Sequence, residues 1–185
     1  MKKLYFIVLI VSCLTAISNA QTVSAYIEAA TPTGNFSKIA NVGYGGIATF
    51  EITFLPLITP FAEVGYIGWS GKNQNVIGYT VSSTISAVPL QAGLKVPVTM
   101  GIYGIAEIGV HFFSVKSSAT IPNYGTFSQT TTSTNGSAGV GAGYELTFIP
   151  LLKLDVNVIY EYISPKSGQS SSSYISARAG LKLGI

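Results

Sequence analysis

Charge is scarce in this chain: Asp, Glu, Lys and Arg make up 9% of its 185 residues, against about 25% in an ordinary globular domain, while mean hydropathy is +0.46. So few charges argue against a conventional water-facing exterior. Cysteine occurs once, at Cys13. A chain cut after Ala20 keeps no thiol, which excludes a disulfide framework, a thiolate metal site and a cysteine nucleophile. Histidine and tryptophan also occur once each, as His111 and Trp69. Beyond Ala20 no apolar run is long enough to span a bilayer as a helix. There is no metal-ligand cluster, no glycine-rich phosphate loop and no nucleic-acid pattern, and the pI near 8.9 reflects a net charge of only +3. No metal, cofactor or nucleic-acid partner is expected.

The start of the chain reads as a secretory leader. Lys2 and Lys3 form a positive region, Leu4 to Ser12 a short apolar core, and Ser18-Asn19-Ala20 a small-residue cleavage site before Gln21. A second reading takes Ile10-Val11-Ser12-Cys13 as a lipoprotein signal with Cys13 acylated. The expected organisation is a signal peptide over residues 1–20 and one domain over 21–185.

What remains is strongly alternating. Side chains along a strand point to opposite faces by turns, so each segment can be phased by its apolar residues before asking where the acids fall. In Leu152 to Tyr162, the residues Leu154, Val156, Val158, Tyr160 and Tyr162 share one face and Lys153, Asp155, Asn157 and Glu161 the other. Glu28 opposes Val23, Ala25, Ile27 and Ala29, and Glu51 opposes Ala48, Phe50 and Ile52. Glu63, Glu107 and Glu145 follow the same rule. Alternation alone does not say which face meets solvent. The shortage of charge decides it: the apolar face points out toward lipid and the charges point in.

Eight strands are predicted, near 22–31, 43–55, 61–70, 85–98, 101–113, 136–148, 152–163 and 173–185. The connections at Pro56 to Pro60, Thr99-Met100 and Pro150-Leu151 are short. Those at 32–42, 71–84, 114–135 and 164–172 are long and rich in Gly, Ser, Thr, Asn and Pro. The Ser/Thr-rich stretches at 126–134 and 170–173 read as solvated loops, with Asn123-Tyr124-Gly125 as a place where a hairpin extends instead. Short and long connections alternating, with both termini on the short side, predict an all-β fold: an eight-stranded antiparallel up-and-down transmembrane β-barrel.

The last strand, Arg178-Ala179-Gly180-Leu181-Lys182-Leu183-Gly184-Ile185, resembles the C-terminal signal read by the outer-membrane barrel assembly machinery, with Gly180, Leu183 and Ile185 at its marked positions. That family usually ends in an aromatic residue, and Ile185 departs from it. Pro32-Thr33-Gly34-Asn35-Phe36 and Gly43-Tyr44-Gly45-Gly46 resemble the small OmpA-like and OmpX-like outer-membrane barrels frequent in Bacteroidota. The resemblance implies an outer-membrane location and a monomer among outer-membrane lipids, assembled by that machinery.

Inside such a barrel the candidate residues form an ion-pair plug: Glu28, Glu51, Glu63, Lys95, Glu107, Glu145, Lys153, Asp155, Glu161, Arg178 and Lys182. Counting from the short-turn ends sets Asp155 beside Lys182, Glu161 and Glu28 beside Arg178, and Glu63 beside Lys95. Eight strands leave room for little more than side chains, so a structural plug is favoured over a conducting path. Seven acids face four cations there, so some carboxylates hold protons or the lumen prefers cations. Ile47, Ile67, Trp69, Tyr103, Ile105 and Ile159 also fall on the inner face. Pro89, which cannot donate a ladder bond, is expected at a bulge that turns Ile85 out and Ser86 in. Outward Phe54, Phe148, Tyr44, Phe112, Tyr160 and Tyr162 are candidates for aromatic girdles.

Each long connection carries one lysine, Lys38, Lys72, Lys116 or Lys166, and no acid. A basic external rim of this kind attracts lipopolysaccharide phosphates or an acidic macromolecule; ordinary solvated lysines are the alternative. His111, with Glu107 four residues away and Ser114 nearby, is the only grouping suggestive of catalysis. Ser114 falls on the other face, and a lone histidine in a polar plug is more often a structural partner. The expectation is a non-enzymatic outer-membrane barrel with a structural or surface-interaction role through its external loops; the alternative is a narrow channel or carrier for small solutes.

Overall fold

The structure is a computed structural model that describes residues 21–53, 57–72, 74–76, 79–121, 125–149, 151–165 and 171–184. The leader with Cys13, the turn residues Phe54, Pro56 and Pro150, the pair Asn123 and Tyr124, and the sites Lys166 and Ile185 lie outside the described residues. The strands are β1 (Gln21–Thr33), β2 (Ala40–Ile52), β3 (Thr59–Gly71), β4 (Gln74–Val76), β5 (Tyr79–Thr99), β6 (Ile102–Ile121), β7 (Gly125–Ile149), β8 (Leu152–Ile163) and β9 (Ser172–Gly184). All pairings are antiparallel between chain neighbours, except that β3 passes over the three-residue β4 to pair with β5, and β1 pairs with β9. The ring therefore has eight strands, and β4 merely adds to the outer end of β5. Closure satisfies the backbone of every strand in the ring, which an open sheet in hydrocarbon cannot do.

Turn chemistry fixes the end where β1 begins and β9 stops. Thr99 pairs with Ile102 across Met100 and Gly101, whose φ angles of 48° and 84° are the positive pair that a two-residue hairpin needs to match strand twist. At the opposite end, the β1–β2 connection folds into a short 3₁₀ turn, Phe36–Lys38, that drives Phe36 into the barrel.

The two faces separate as the alternation predicts. Ile27, Tyr44, Val64, Ile108, Val140, Val158 and Leu181 are exposed on the outer wall, together with Phe112, Phe148, Tyr160 and Tyr162. Glu28, Glu51, Glu63, Glu107, Asp155 and Glu161 are buried inside, and Glu145 is half-buried near the turns. Ile47, Ile67, Trp69, Tyr103, Ile105 and Ile159 are also buried inside. A barrel this narrow cannot hold a large side chain at every inward position. Inward glycines leave the room: a Cβ on Gly143 would collide with the Tyr103 ring, and one on Gly180 with the Tyr26 ring.

Two sequence expectations are corrected. Pro89 causes no bulge: Ile85, Ala87, Pro89 and Gln91 all point inward in unbroken register with β6, and Ser86 lies on the other face. The missing N–H is accommodated because the β3–β5 ladder is interrupted between Val64↔Leu90 and Ile67↔Ala87, opposite the proline. The stretches 79–84, 114–121 and 125–135 are not loops. They are strand, paired from Thr80↔Thr120 on one side of β6 and from Ile121↔Gly125 on the other. Above the bilayer both strand faces are wet, so no apolar alternation marks them. What holds them is the β-propensity of threonine and serine–threonine cross-strand pairs such as Ser114↔Thr132 and Ser118↔Ser128.

Candidate functional site

The inward side chains stack in layers. Nearest the short turns, three carboxylates meet three lysines. Lys95 Nζ lies 2.5 Å from Glu51 Oε1 and 3.3 Å from Asp155 Oδ2. Lys182 Nζ lies 2.7 Å from Glu51 Oε2 and 3.7 Å from Asp155, and it also pairs with Glu145, which Lys153 reaches at 3.2 Å. Tyr103 donates a short hydrogen bond to Asp155 Oδ1, Asn157 Nδ2 donates to the same oxygen at 3.1 Å, and Lys95 sits 4.9 Å from the Tyr103 ring centroid. Charge is balanced here.

Farther from the turns one guanidinium stands in a layer of four carboxylates and contacts three of them. Arg178 Nε lies 3.4 Å from Glu28 Oε1, Nη1 3.2 Å from Glu63 and Nη2 3.5 Å from Glu107. Glu161 instead takes Gln91 Nε2, at 3.2 Å, and the same amide reaches Glu107 Oε1 at 3.3 Å. Ser176 Oγ donates to Glu28 and accepts from Arg178 Nε at 3.0 Å. The whole carboxylate excess of the lumen thus lies in this layer. Between the two layers a cavity of about 10 Å³, bounded by Tyr26, Glu63, Lys95, Glu107 and Arg178, has room for a single water.

Above the Arg178 layer the lumen becomes aromatic. His111 is fully buried, its Nε2 2.9 Å from Tyr174 Oη. Trp69 packs against Phe36, Tyr174 and Phe113, with ring centroids 5.4, 5.5 and 6.3 Å away, and donates through Nε1 to the Ala30 carbonyl at 3.1 Å. Ile67, Ala87 and Ala30 complete this plug.

Several sequence pairings change partners. Arg178 meets Glu28 but not Glu161, and Lys95 meets Glu51 and Asp155 rather than Glu63, which belongs to Arg178. The strands tilt and stagger around the ring, so residues equally far from their turns are not level. His111 turns to Tyr174 for its hydrogen bond, and no contact joins it to Glu107 or Ser114 among the described residues. Gln91, Tyr103, Tyr174 and Ser176 were missed as members of the network. Parity was the available signal, since Ser176 shares the phase of Arg178, and Tyr103 that of Glu107.

Of the four rim lysines, Lys38, Lys72 and Lys116 are among the described residues. Lys38 binds Asn35 Oδ1 at 3.1 Å and Lys72 the Ser37 carbonyl at 2.7 Å, so both are folded onto the β1–β2 turn, whereas Lys116 is exposed opposite Thr130 on the projecting sheet. In the C-terminal signal, Gly180 sits against Tyr26 and Leu183 is exposed on the outer wall beside Val23.

That projecting sheet is the second candidate. β3 pairs with β5 only as far as Ser70↔Thr84, and β8 with β7 only as far as Ser137↔Ile163, yet β6 stays paired with both neighbours beyond these points. A ribbon of β5, β6 and β7, with β4 added beside the tip of β5, therefore stands above the ring, and no strand among the described residues pairs with the outer edge of β7 from Phe127 to Thr134.

No protein-family model matches the sequence, and no curated protein matches it. Solved structures do share the fold. Ail, the attachment invasion locus protein of Yersinia pestis, is 13% identical over 89% of this chain and 99% of its own, with a TM-score of 0.57. Neisserial surface protein A is 12% identical over 89% and 97%, with a TM-score of 0.54. A major outer membrane protein from Thermus thermophilus is 15% identical over 90% and 100%, with a TM-score of 0.58. At these identities the likeness is one of fold: the chain is an eight-stranded barrel of the kind found in outer-membrane proteins.

Proposed function

We propose that the chain is an integral outer-membrane barrel, exported by its N-terminal leader, that works without catalysis as a surface-interaction protein. Its partner-binding element is the ribbon that β5, β6 and β7 raise above the bilayer. The observation that carries this reading is the edge of β7 between Phe127 and Thr134, which no strand among the described residues pairs with. Natural edges are usually blunted by lysine, proline or a bulge. This one has none of them, and no charged residue occurs between Ser117 and Tyr144. Such an edge accepts an extended segment of another polypeptide as an added strand. The outer wall of apolar and aromatic side chains supports the membrane location, as does the fold shared with a major outer membrane protein of Thermus thermophilus. The filled lumen and the occupied His111 disfavour a solute channel or an active site.

The reading is tested by panning a random peptide display library against the protein in phospholipid nanodiscs, beside Thr130→Pro and Thr131→Pro. Backbone N–H groups alternate between β6 and the open edge, so one of these prolines removes an edge donor while sparing the inner ladder. Enrichment of extended, β-branched peptides that bind the wild type and lose binding to one proline variant is the expected result. Equal recovery from all three proteins would contradict it.

A further inference from the structure

A cavity of about 430 Å³ opens at the outer mouth of the barrel, where the ribbon leans over the aromatic plug. Its size lies within the usual range for small-molecule sites. One wall is apolar, made by Phe36, Ile39, Ile85, Phe113, Val115 and Ile163. The other is hydroxylated and amidic, from Asn35, Thr131, Ser133, Asn135, Ser171 and Ser172, and none of the lining residues among those described is charged. The amide of Asn135 is already committed: Nδ2 donates to the Ser164 carbonyl at 3.0 Å, and Oδ1 accepts from Ser133 Oγ at 3.0 Å. Rotatable hydroxyls and the rim amide of Asn35, whose Oδ1 accepts from Lys38 Nζ at 3.1 Å, are left to face an occupant. Below, Trp69, Tyr174, Ile67 and Ala87, each no more than 1% exposed, close the floor.

We propose that this cavity is a binding site for a small uncharged apolar molecule, aromatic or alicyclic, carrying at most a hydroxyl or two. A charged ligand would lose its water and find no counter-charge among the described lining residues, since Lys38 beside the rim is turned to Asn35. A sugar would bring many hydroxyls against six apolar side chains and an opposite wall whose buried amide, Asn135, is spent. The closed floor makes this a site that holds its ligand rather than one that passes it through.

The chain carries its own reporter. Trp69 is the single tryptophan, and it touches two residues of the apolar wall, Phe36 and Phe113. The test titrates neutral N-phenyl-1-naphthylamine into the protein in phospholipid nanodiscs and follows energy transfer from Trp69 to the probe. Two variants accompany the wild type. Ser133→Phe fills the mouth, and Val115→Arg puts a charge in the apolar wall; each is first checked for the gel shift of a folded barrel. The expected result is a saturable loss of Trp69 emission whose midpoint weakens about tenfold or more in both variants. A loss that rises linearly with probe, as partition into lipid gives, and is alike in all three proteins would overturn the proposal. Saturable binding that neither variant weakens would also overturn it.

Discussion

Arg178→Met is expected to destabilise the barrel by about 3–5 kcal/mol, although methionine fills much of the same volume. Arg178 is the sole cation among Glu28, Glu63, Glu107 and Glu161, contacting the first three within 3.5 Å. Removing it leaves buried carboxylates with no counter-charge, and that loss, more than any lost attraction, sets the cost. With an m-value of about 2 kcal/mol/M, the urea midpoint would fall by roughly 1.5–2.5 M. Unfolding from phospholipid vesicles followed by Trp69 emission measures it. Adding Glu63→Gln to Arg178→Met should recover about 1 kcal/mol or more, because one of the stranded charges is then gone. An unchanged midpoint in Arg178→Met would mean that the buried layer is held by shape alone.

The second large effect is on the outer wall. Val158 lies near the middle of β8, exposed and flanked by Ala142 and Ala177 on the neighbouring strands. If that wall faces hydrocarbon, Val158→Arg costs about 2–4 kcal/mol. The same change at Thr130, exposed on the ribbon above the ring, should stay within about 0.5 kcal/mol of the wild type. The same unfolding titration reads both. A barrel whose outer wall met water would tolerate the two substitutions equally.

The face assignment was legible because Glu28, Glu51, Glu107, Asp155 and Glu161 each hold one phase of a period-2 pattern whose other phase is apolar, and because charge, at 9% of the chain, is too scarce for the polar phase to be a water-facing surface. The pairings inside were less legible. Lys95 reaches Glu51 and Asp155 from other strands because tilt and stagger set the heights, and these follow from register, which a single sequence does not display. Ile85 was misplaced by treating Pro89 as a defect, when an interrupted stretch of the β3–β5 ladder accommodates it. The ribbon stood second to solvated loops, as a hairpin extending around Asn123-Tyr124-Gly125, because Thr126 to Thr134 has the composition of a loop; the β-propensity of its threonines was the signal to weigh. The projecting edge and the mouth cavity both depend on that ribbon, so neither was visible before the register was known.

Heat modifiability tests the central claim, a closed barrel with its apolar face in lipid, most directly: protein from purified outer membranes is run on a denaturing gel with and without boiling. The account predicts recovery in the outer-membrane fraction and a change in migration that appears only on boiling, because a closed barrel resists detergent until its strands are pulled apart. Recovery in the soluble periplasm with one migration, boiled or not, would contradict it.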